Sequence, residues 1–360
     1  MKILFLTLNT FDKHGGIQTF NKYFMEALDA NEYSWQMISL HDVSGSVPFK
    51  IYCCGSSLLK FVFRIVQLAK QDTVIVWNHI SIGLLAKYIS LLLPIKRNIL
   101  LTYGTEVWHH DLLPRKKKAL TFFDEIWTIS SYTKAKLIST HKLPKYKFRI
   151  FPCCISLTGG GVTPSPYQAN RFNVTTLMRL DVEPKLSAVY NMLDALPSLL
   201  RQGIPVHFTI VGRGNGEEML RRYVAKLDLQ EHVTFTGFVE DPGPYLQHCD
   251  LFSMVSAVEG FGIVYLEAMQ YEKCCIAAKN CGSEDVVLDG VTGYSVSVND
   301  IPALEAALLK LANDENLRKS FGAAGYKRLI DNFLFDSFKK NQKQLLNEFD
   351  SESRDGYKCC

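Results

Sequence analysis

The chain has 360 residues, 47% hydrophobic and 21% charged, with no low-complexity tract; this excludes a disordered chain and supplies apolar surface for one or two packed domains. The net charge of +4 conceals an asymmetry: residues 1–160 carry 20 Lys and Arg against 10 Asp and Glu, and residues 161–360 carry 20 against 26. A basic first half implies an anionic partner, such as lipid head groups, a phosphate-bearing acceptor or nucleic acid.

The opening MKILFLTLN has too short an apolar core for a secretory signal, and residues 2–8 read as a hydrophobic strand. A loop over 9–16 leads into a helical pattern through Thr19, Phe20, Tyr23, Phe24 and Leu28. Strand, Gly15-Gly16, helix is the opening unit of a doubly wound sheet. It lacks G-x-G-x-x-G, so no dinucleotide fingerprint is present. The glycine pair is either a plain tight turn or room for an acceptor's polar head at the helix N-terminus. Residues 56–69 predict an amphipathic helix with Lys60 and Arg64 on its polar side, and 73–77 a buried strand. The apolar run 80–93, interrupted by Lys87, is short for a bilayer span and reads as a buried helix. Residues 98–103 form another strand, with Gly104-Thr105-Glu106-Val107-Trp108 at its C-terminal end, where ligands gather in such sheets. Glu106 reads either as a contact for an acceptor hydroxyl or as a cap or ion-pair partner. His109 and His110 read as surface residues. Pro114-Arg115-Lys116-Lys117-Lys118 leads into a helix, with Lys134, Lys136, Lys142, Lys145 and Lys147 beyond. Each cation contributes about 1 kcal/mol near an anionic membrane, so contact with such a surface is expected. Residues 125–129 are a further strand, and Ser130-Ser131 caps a helix.

Residues 156–170, with three glycines and two prolines, read as a linker. The expected division is 1–155, a linker over 156–170, 171–330, and a helix over 331–350 that crosses back to the first domain. Strands are expected at 172–178, 206–211, 233–238 and 274–278. Gly212 permits close approach of a ligand, and Ser283 is either a source of an N–H or a helix N-cap. The tail 303–349 reads as helical and 351–360 as frayed. Eight of the ten cysteines form adjacent pairs without C-x-x-C spacing; small core residues in a reduced, cytoplasmic protein are expected.

The most informative stretch is 253–271, SMVSAVEGFGIVYLEAMQY. A buried strand breaks at Glu259-Gly260-Phe261-Gly262, and a helix begins near Ile263 with Leu266 and Met269 inward. A Gly-rich turn between strand and helix aims free N–H groups at one point and suits a phosphate. Glu259 and Glu267 bracket it. Carboxylates beside an anion site are unfavourable unless they accept hydrogen bonds, and sugar or ribose hydroxyls supply these. The spacing suggests a ligand carrying both phosphate and polyol; two solvated acids on a plain connection are the alternative.

E-G-F-G-I-V-Y-L-E-A-M resembles the E-x7-E signature of retaining GT-B glycosyltransferases, notably glycosyltransferase family 4, with seven residues between Glu259 and Glu267. The resemblance implies an α/β fold of two Rossmann-like domains facing across a cleft. Its implied function is retaining transfer of a sugar from a nucleotide-sugar donor to a glycan or lipid-linked acceptor. It assigns Glu267 to the ribose hydroxyls and Glu259 to the donor sugar. Gly262 and Ile263 supply backbone N–H groups, and Arg179 and Lys185 clamp the diphosphate. Gly212, Gly282 and Ser283 lie against the donor, while backbone groups near Phe238 and Val239 read the base. Gly15, Gly16, Tyr103 and Glu106 fall on the acceptor side. Two residues depart from the pattern: Tyr103 stands where histidine is usual, and Leu186 replaces the glycine after the lysine. No D-x-D motif stands at a cleft position, so no metal or other cofactor is expected, and no nucleic-acid partner. The expected place is cytoplasmic, peripheral on the inner membrane face. A non-catalytic subunit, an epimerase or a phosphorylase on the same fold are the rival readings.

Overall fold

The computed structural model describes all residues except 13–14, 44–49, 109–111, 159–160, 162, 182 and 356–360; His109 and His110 therefore lie outside the described residues. Two compact units result, Met1–Cys154 with Phe335–Cys360, and Ile155–Leu334.

The first unit is built on a seven-stranded parallel sheet. Its strands are β1 (Lys2–Thr7), β2 (Ser34–Ser39), β3 (Ile51–Cys53), β4 (Thr73–Trp77), β5 (Arg97–Thr102), β6 (Glu125–Thr128) and β7 (Phe148–Ile150), in the order β3-β2-β1-β4-β5-β6-β7. β4 and β5 are buried at every position, as expected of a parallel sheet covered on both faces. Alternation along β1 divides the core. Leu4 and Leu6 join Ile75, Trp77 and Leu100 beneath the helices that follow β3 and β4. Phe5 points the other way, with its ring 4.6 Å from Phe24 of helix Gly16–Ala30. The last helix, Phe335–Asp355, covers that second face as part of this unit. Phe338 lies 4.5 Å from Phe151 and 5.5 Å from Phe20, and the Gln342 amide donates to the Phe24 carbonyl at 2.9 Å. The expected return of the C-terminal helix to the first domain is therefore observed.

Some elements differ from expectation. The apolar run 80–93 forms two short helices, Ile80–Gly83 and Ala86–Leu92, and the second leaves Tyr88, Leu91 and Leu92 exposed. The tail is three helices, Ile301–Asn313, Glu315–Asn332 and Phe335–Asp355. Asp314 interrupts it by accepting from the Leu317 N–H at 2.8 Å. Residues 351–355 continue the last helix instead of fraying. Among the described residues seven cysteines, including Cys54, Cys153, Cys274 and Cys281, are buried outside any disulfide, and Cys53 is partly buried.

The second unit carries a six-stranded parallel sheet of β8 (Phe172–Leu177), β9 (Val206–Val211), β10 (Val233–Gly237), β11 (Leu251–Met254), β12 (Cys275–Ala278) and β13 (Gly293–Val296). The order β10-β9-β8-β11-β12-β13 reverses direction between β8 and β11. Loops at the C-terminal ends of these two strands diverge there and leave the crevice where such sheets bind ligands. The described part of 156–170 is fastened to this unit: Thr158 bonds the Gln270 side chain at 3.0 Å, and the Tyr167 hydroxyl donates to the Tyr245 carbonyl at 2.8 Å.

Candidate functional site

Loops at the C-terminal ends of β8, β9, β11 and β12 interlock around the switch point of the second unit. After β8 the chain reaches Arg179 and enters helix Glu183–Arg201. The Leu180 N–H donates to the Arg213 carbonyl at 3.0 Å, and the Gly216 N–H to the Leu180 carbonyl at 2.8 Å. These bonds tie the loop after β8 to that after β9. Gly212 holds φ +136°, and a Cβ there would stand 1.9 Å from the Met178 carbonyl oxygen, so only glycine fits. Leu186 is buried with its methyls beneath Gly216. Its departure from the family's glycine therefore fills core space under the 212–216 loop.

The turn after β11 is held as firmly. The Glu259 carbonyl accepts from the Gly282 N–H at 2.8 Å, joining this turn to the loop after β12. Gly262 takes φ +92°, where a Cβ would meet the Tyr265 ring at 2.4 Å. Tyr265 is wholly buried, and its hydroxyl donates to the Met254 carbonyl at 2.6 Å. That bond anchors helix Ile263–Met269 to the end of β11. Ser187 accepts from the Ala257 N–H at 2.9 Å, fixing the first turn of the Lys185 helix against the same loop. Lys185 Nζ then lies 3.1 Å from a Glu259 carboxylate oxygen, both side chains partly buried.

Among the described residues no acceptor meets the N–H groups of Gly262, Ile263 or Val264. Glu267 sits one turn into the same helix without a hydrogen-bond or ion-pair partner among the described residues. Burial raises its carboxyl to about 7, since desolvation disfavours the charged form. An acid held this way gains most from a ligand that brings hydroxyl donors.

The predicted residues are not all placed alike. Lys185, Glu259, Gly262, Ile263, Gly282 and Ser283 are joined by direct contacts or adjacent turns. The Gly282 N–H, expected to serve a ligand, is consumed by Glu259, and the Ser283 hydroxyl donates inward to the Ala278 carbonyl at 3.1 Å. Arg179 is exposed, 3.4 Å from Asp181. Phe238 is exposed beside Val239, with the Arg213 guanidinium 5.1 Å from its ring centre.

In the first unit, Gly15 and Gly16 open helix Gly16–Ala30 with no side-chain cap. The Tyr103 hydroxyl is buried against the Asn78 amide, which also donates to Asn21 at 2.7 Å. Burial holds the phenol well above its ordinary range. Glu106 accepts from the Tyr103 backbone N–H, the capping alternative; burial raises its carboxyl while backbone N–H groups oppose that rise. Sequence reasoning missed two positioning residues. Tyr265 was hidden in an ordinary apolar helix pattern. Asp42, wholly buried, accepts from the Thr10, Phe11 and Asp12 N–H groups at 2.7–3.1 Å and so shapes the loop before Gly15; no motif marks it.

Two Rossmann-like units with these topologies make this chain a GT-B fold. Solved structures agree across its length: HepE of Anabaena, determined with UDP, has a TM-score of 0.79 at 20% identity over 97% of this chain and all of that one. Sucrose-phosphate synthase of Thermosynechococcus elongatus gives 0.79 at 18% identity over 98% and 99%. Residues 185–328 match the model of the family described as glycosyl transferases group 1. A relative from Mycolicibacterium smegmatis, named GDP-mannose-dependent alpha-(1-6)-phosphatidylinositol monomannoside mannosyltransferase, is 34% identical over 151 residues, 39% of this chain and 40% of that protein. The capsular polysaccharide glycosyltransferase CapM of Staphylococcus aureus is 27% identical over 47% of this chain and 45% of its own. The matched region thus spans about two fifths of the length of these curated relatives.

Proposed function

We propose that the chain is a retaining glycosyltransferase that moves a hexosyl or related sugar from a nucleotide-diphosphate sugar to a glycan or lipid-linked acceptor. Its place is cell-surface polysaccharide or glycolipid synthesis, at the cytoplasmic face of the membrane. The observation that carries this reading is the Lys185–Glu259 pair beside the unbonded N–H groups of Gly262 and Ile263, with an unpartnered Glu267 on the same helix. HepE was solved with UDP-glucose and the mycobacterial relative is named for GDP-mannose, which supports a nucleoside-diphosphate hexose as donor.

In this mechanism Glu267 accepts the ribose hydroxyls, and Arg179, Lys185 and the N–H groups hold the diphosphate. Phe238 and Val239 flank the base; Gly15, Gly16, Tyr103 and Glu106 serve the acceptor side. The bond from the anomeric carbon to the phosphate oxygen breaks, the acceptor oxygen bonds to that carbon on the same face, and its proton passes to the departing phosphate. Fixed cations stabilise the charge that grows on the leaving group. Glu259 holds the donor sugar. Its pairing with Lys185 reduces its power as a nucleophile, which favours front-face displacement over a double displacement through Glu259.

Product analysis tests this. With an α-linked UDP- or GDP-hexose and a lipid-linked saccharide, NMR of the product is expected to show one new α-linkage. A β-linkage contradicts retention. Epimerised sugar, or transfer to inorganic phosphate alone, points to the rival activities.

A further inference from the structure

We propose that this protein docks onto an anionic bilayer through two segments of its first unit that cover one core cluster, helices Leu58–Leu68 and Ala86–Leu92. The inference deepens the lipid-linked acceptor reading above and rests on it for its purpose.

Helix Leu58–Leu68 is apolar on two sides. Phe61 and Ile65 are buried in the core over the sheet. Leu59, Phe63 and Val66, spaced four and three residues apart, form a second stripe facing solvent. Leu59 is 85% exposed and Phe63 64%. Helix Ala86–Leu92 repeats the arrangement: Ala86 and Ile89 point inward, while Leu91 and Leu92 are 74% and 72% exposed beside Tyr88. Both helices cover the same face of the sheet and share one core cluster, so their outer stripes belong to one layer. Exposed apolar side chains repeated on two helices of one layer mark an interaction site.

Charge identifies the occupant. From residue 58 to 118 the chain has ten Lys and Arg against three Asp and Glu. Lys60, Lys70, Arg115, Lys117 and Lys118 are exposed on or next to helices Leu58–Leu68 and Pro114–Ala119. The basic helix Pro114–Ala119 packs on Ile80–Gly83 within the same layer. Exposed apolar side chains on a layer that also exposes cations match an anionic lipid surface, the side chains entering the acyl boundary and the cations meeting head groups. Among the described residues no helix is long and apolar enough to cross a membrane, so the match is to lying on the surface.

Flotation of the full chain on phosphatidylcholine vesicles with and without about 30 mol% phosphatidylglycerol tests this. Recovery with the anionic vesicles is expected. Leu59→Glu/Phe63→Glu and Leu91→Glu/Leu92→Glu should each lower partitioning at least about tenfold, with melting temperature unchanged. If either pair fails to fold, Leu59→Ser and Leu91→Ser give the same direction at smaller size. Failure of the wild type to float, or equal flotation of the variants, overturns the proposal. So does a wild-type dimer that the same substitutions make monomeric. Calorimetric titration of the variants with a nucleotide-sugar separates the two readings. Retained nucleotide affinity with lost flotation is the expected result; a wild type that floats but binds no nucleotide-sugar defeats the glycosyl-transfer reading alone.

Discussion

Glu267 shows how one side chain trades stability for binding. Its folded-state carboxyl, raised to about 7, favours the protonated form. Stability without ligand is therefore greatest below the ordinary carboxylate range and falls as pH rises towards 7, then levels off. Glu267→Gln removes that penalty: at pH 8 the variant should unfold with roughly 1–3 kcal/mol more free energy than wild type, and at pH 4 the two should coincide. Urea titrations at both pH values check this; parallel curves would show that the carboxyl is not desolvated. Arg179, exposed and lightly paired, is a different case: in the proposed mechanism it closes on the diphosphate as charge develops. Arg179→Ala should lower kcat by about 10²–10³ with little change in stability. Near-normal turnover at saturating donor would remove it from the mechanism.

At the scale of elements, the turn after β11 is rigid because three constraints coincide: φ +92° at Gly262, the Tyr265 ring against it, and the Glu259 carbonyl bonded to Gly282. Gly262→Ala should cost about 1–2 kcal/mol for the left-handed backbone alone, and more through displacement of Tyr265. Nucleotide affinity should fall further than stability does, measured by calorimetry beside thermal melts. Equal losses would mean the turn is only structural. Strands β5 and β6 depend on a buried ion pair between Arg97 and Glu125, which the Trp127 indole joins at 2.7 Å. Glu125→Ala strands a buried guanidinium and should destabilise the protein by about 3–5 kcal/mol in urea unfolding. An effect below 1 kcal/mol would show that water reaches the site. The strands were legible because parallel strands buried on both faces leave continuous apolar runs. The helix over 86–92 was misread as buried for the same reason: an all-apolar run does not say which side faces out, and Leu91 and Leu92 read like Ile89. Helix Leu58–Leu68 likewise hides its outward stripe in a pattern whose inward stripe is enough for a core.

Across the whole molecule, the α/β class and the return of the last helix could be read from pattern and resemblance. The turn that carries Glu259, Gly262 and Glu267 was legible because its geometry is local: glycines and two glutamates at fixed spacing on one strand-loop-helix unit. What the sequence hid is non-local. Asp42 shapes a loop some thirty residues away in the chain, and Leu186 fills space under Gly216, contacts that no spacing rule encodes. Tyr103, whose side the sequence reads as the acceptor's, also holds its hydroxyl in a buried network with Asn78 and Asn21 that no spacing rule encodes. The central claim, that the second unit grips a nucleotide-sugar with Glu267 on its ribose, is tested most directly by calorimetric titration of UDP- and GDP-hexoses into wild type and Glu267→Ala. Saturable wild-type binding of at least one donor, weakened at least about tenfold in the variant, is the predicted result; identical isotherms, or no binding of either class by the wild type, would contradict it.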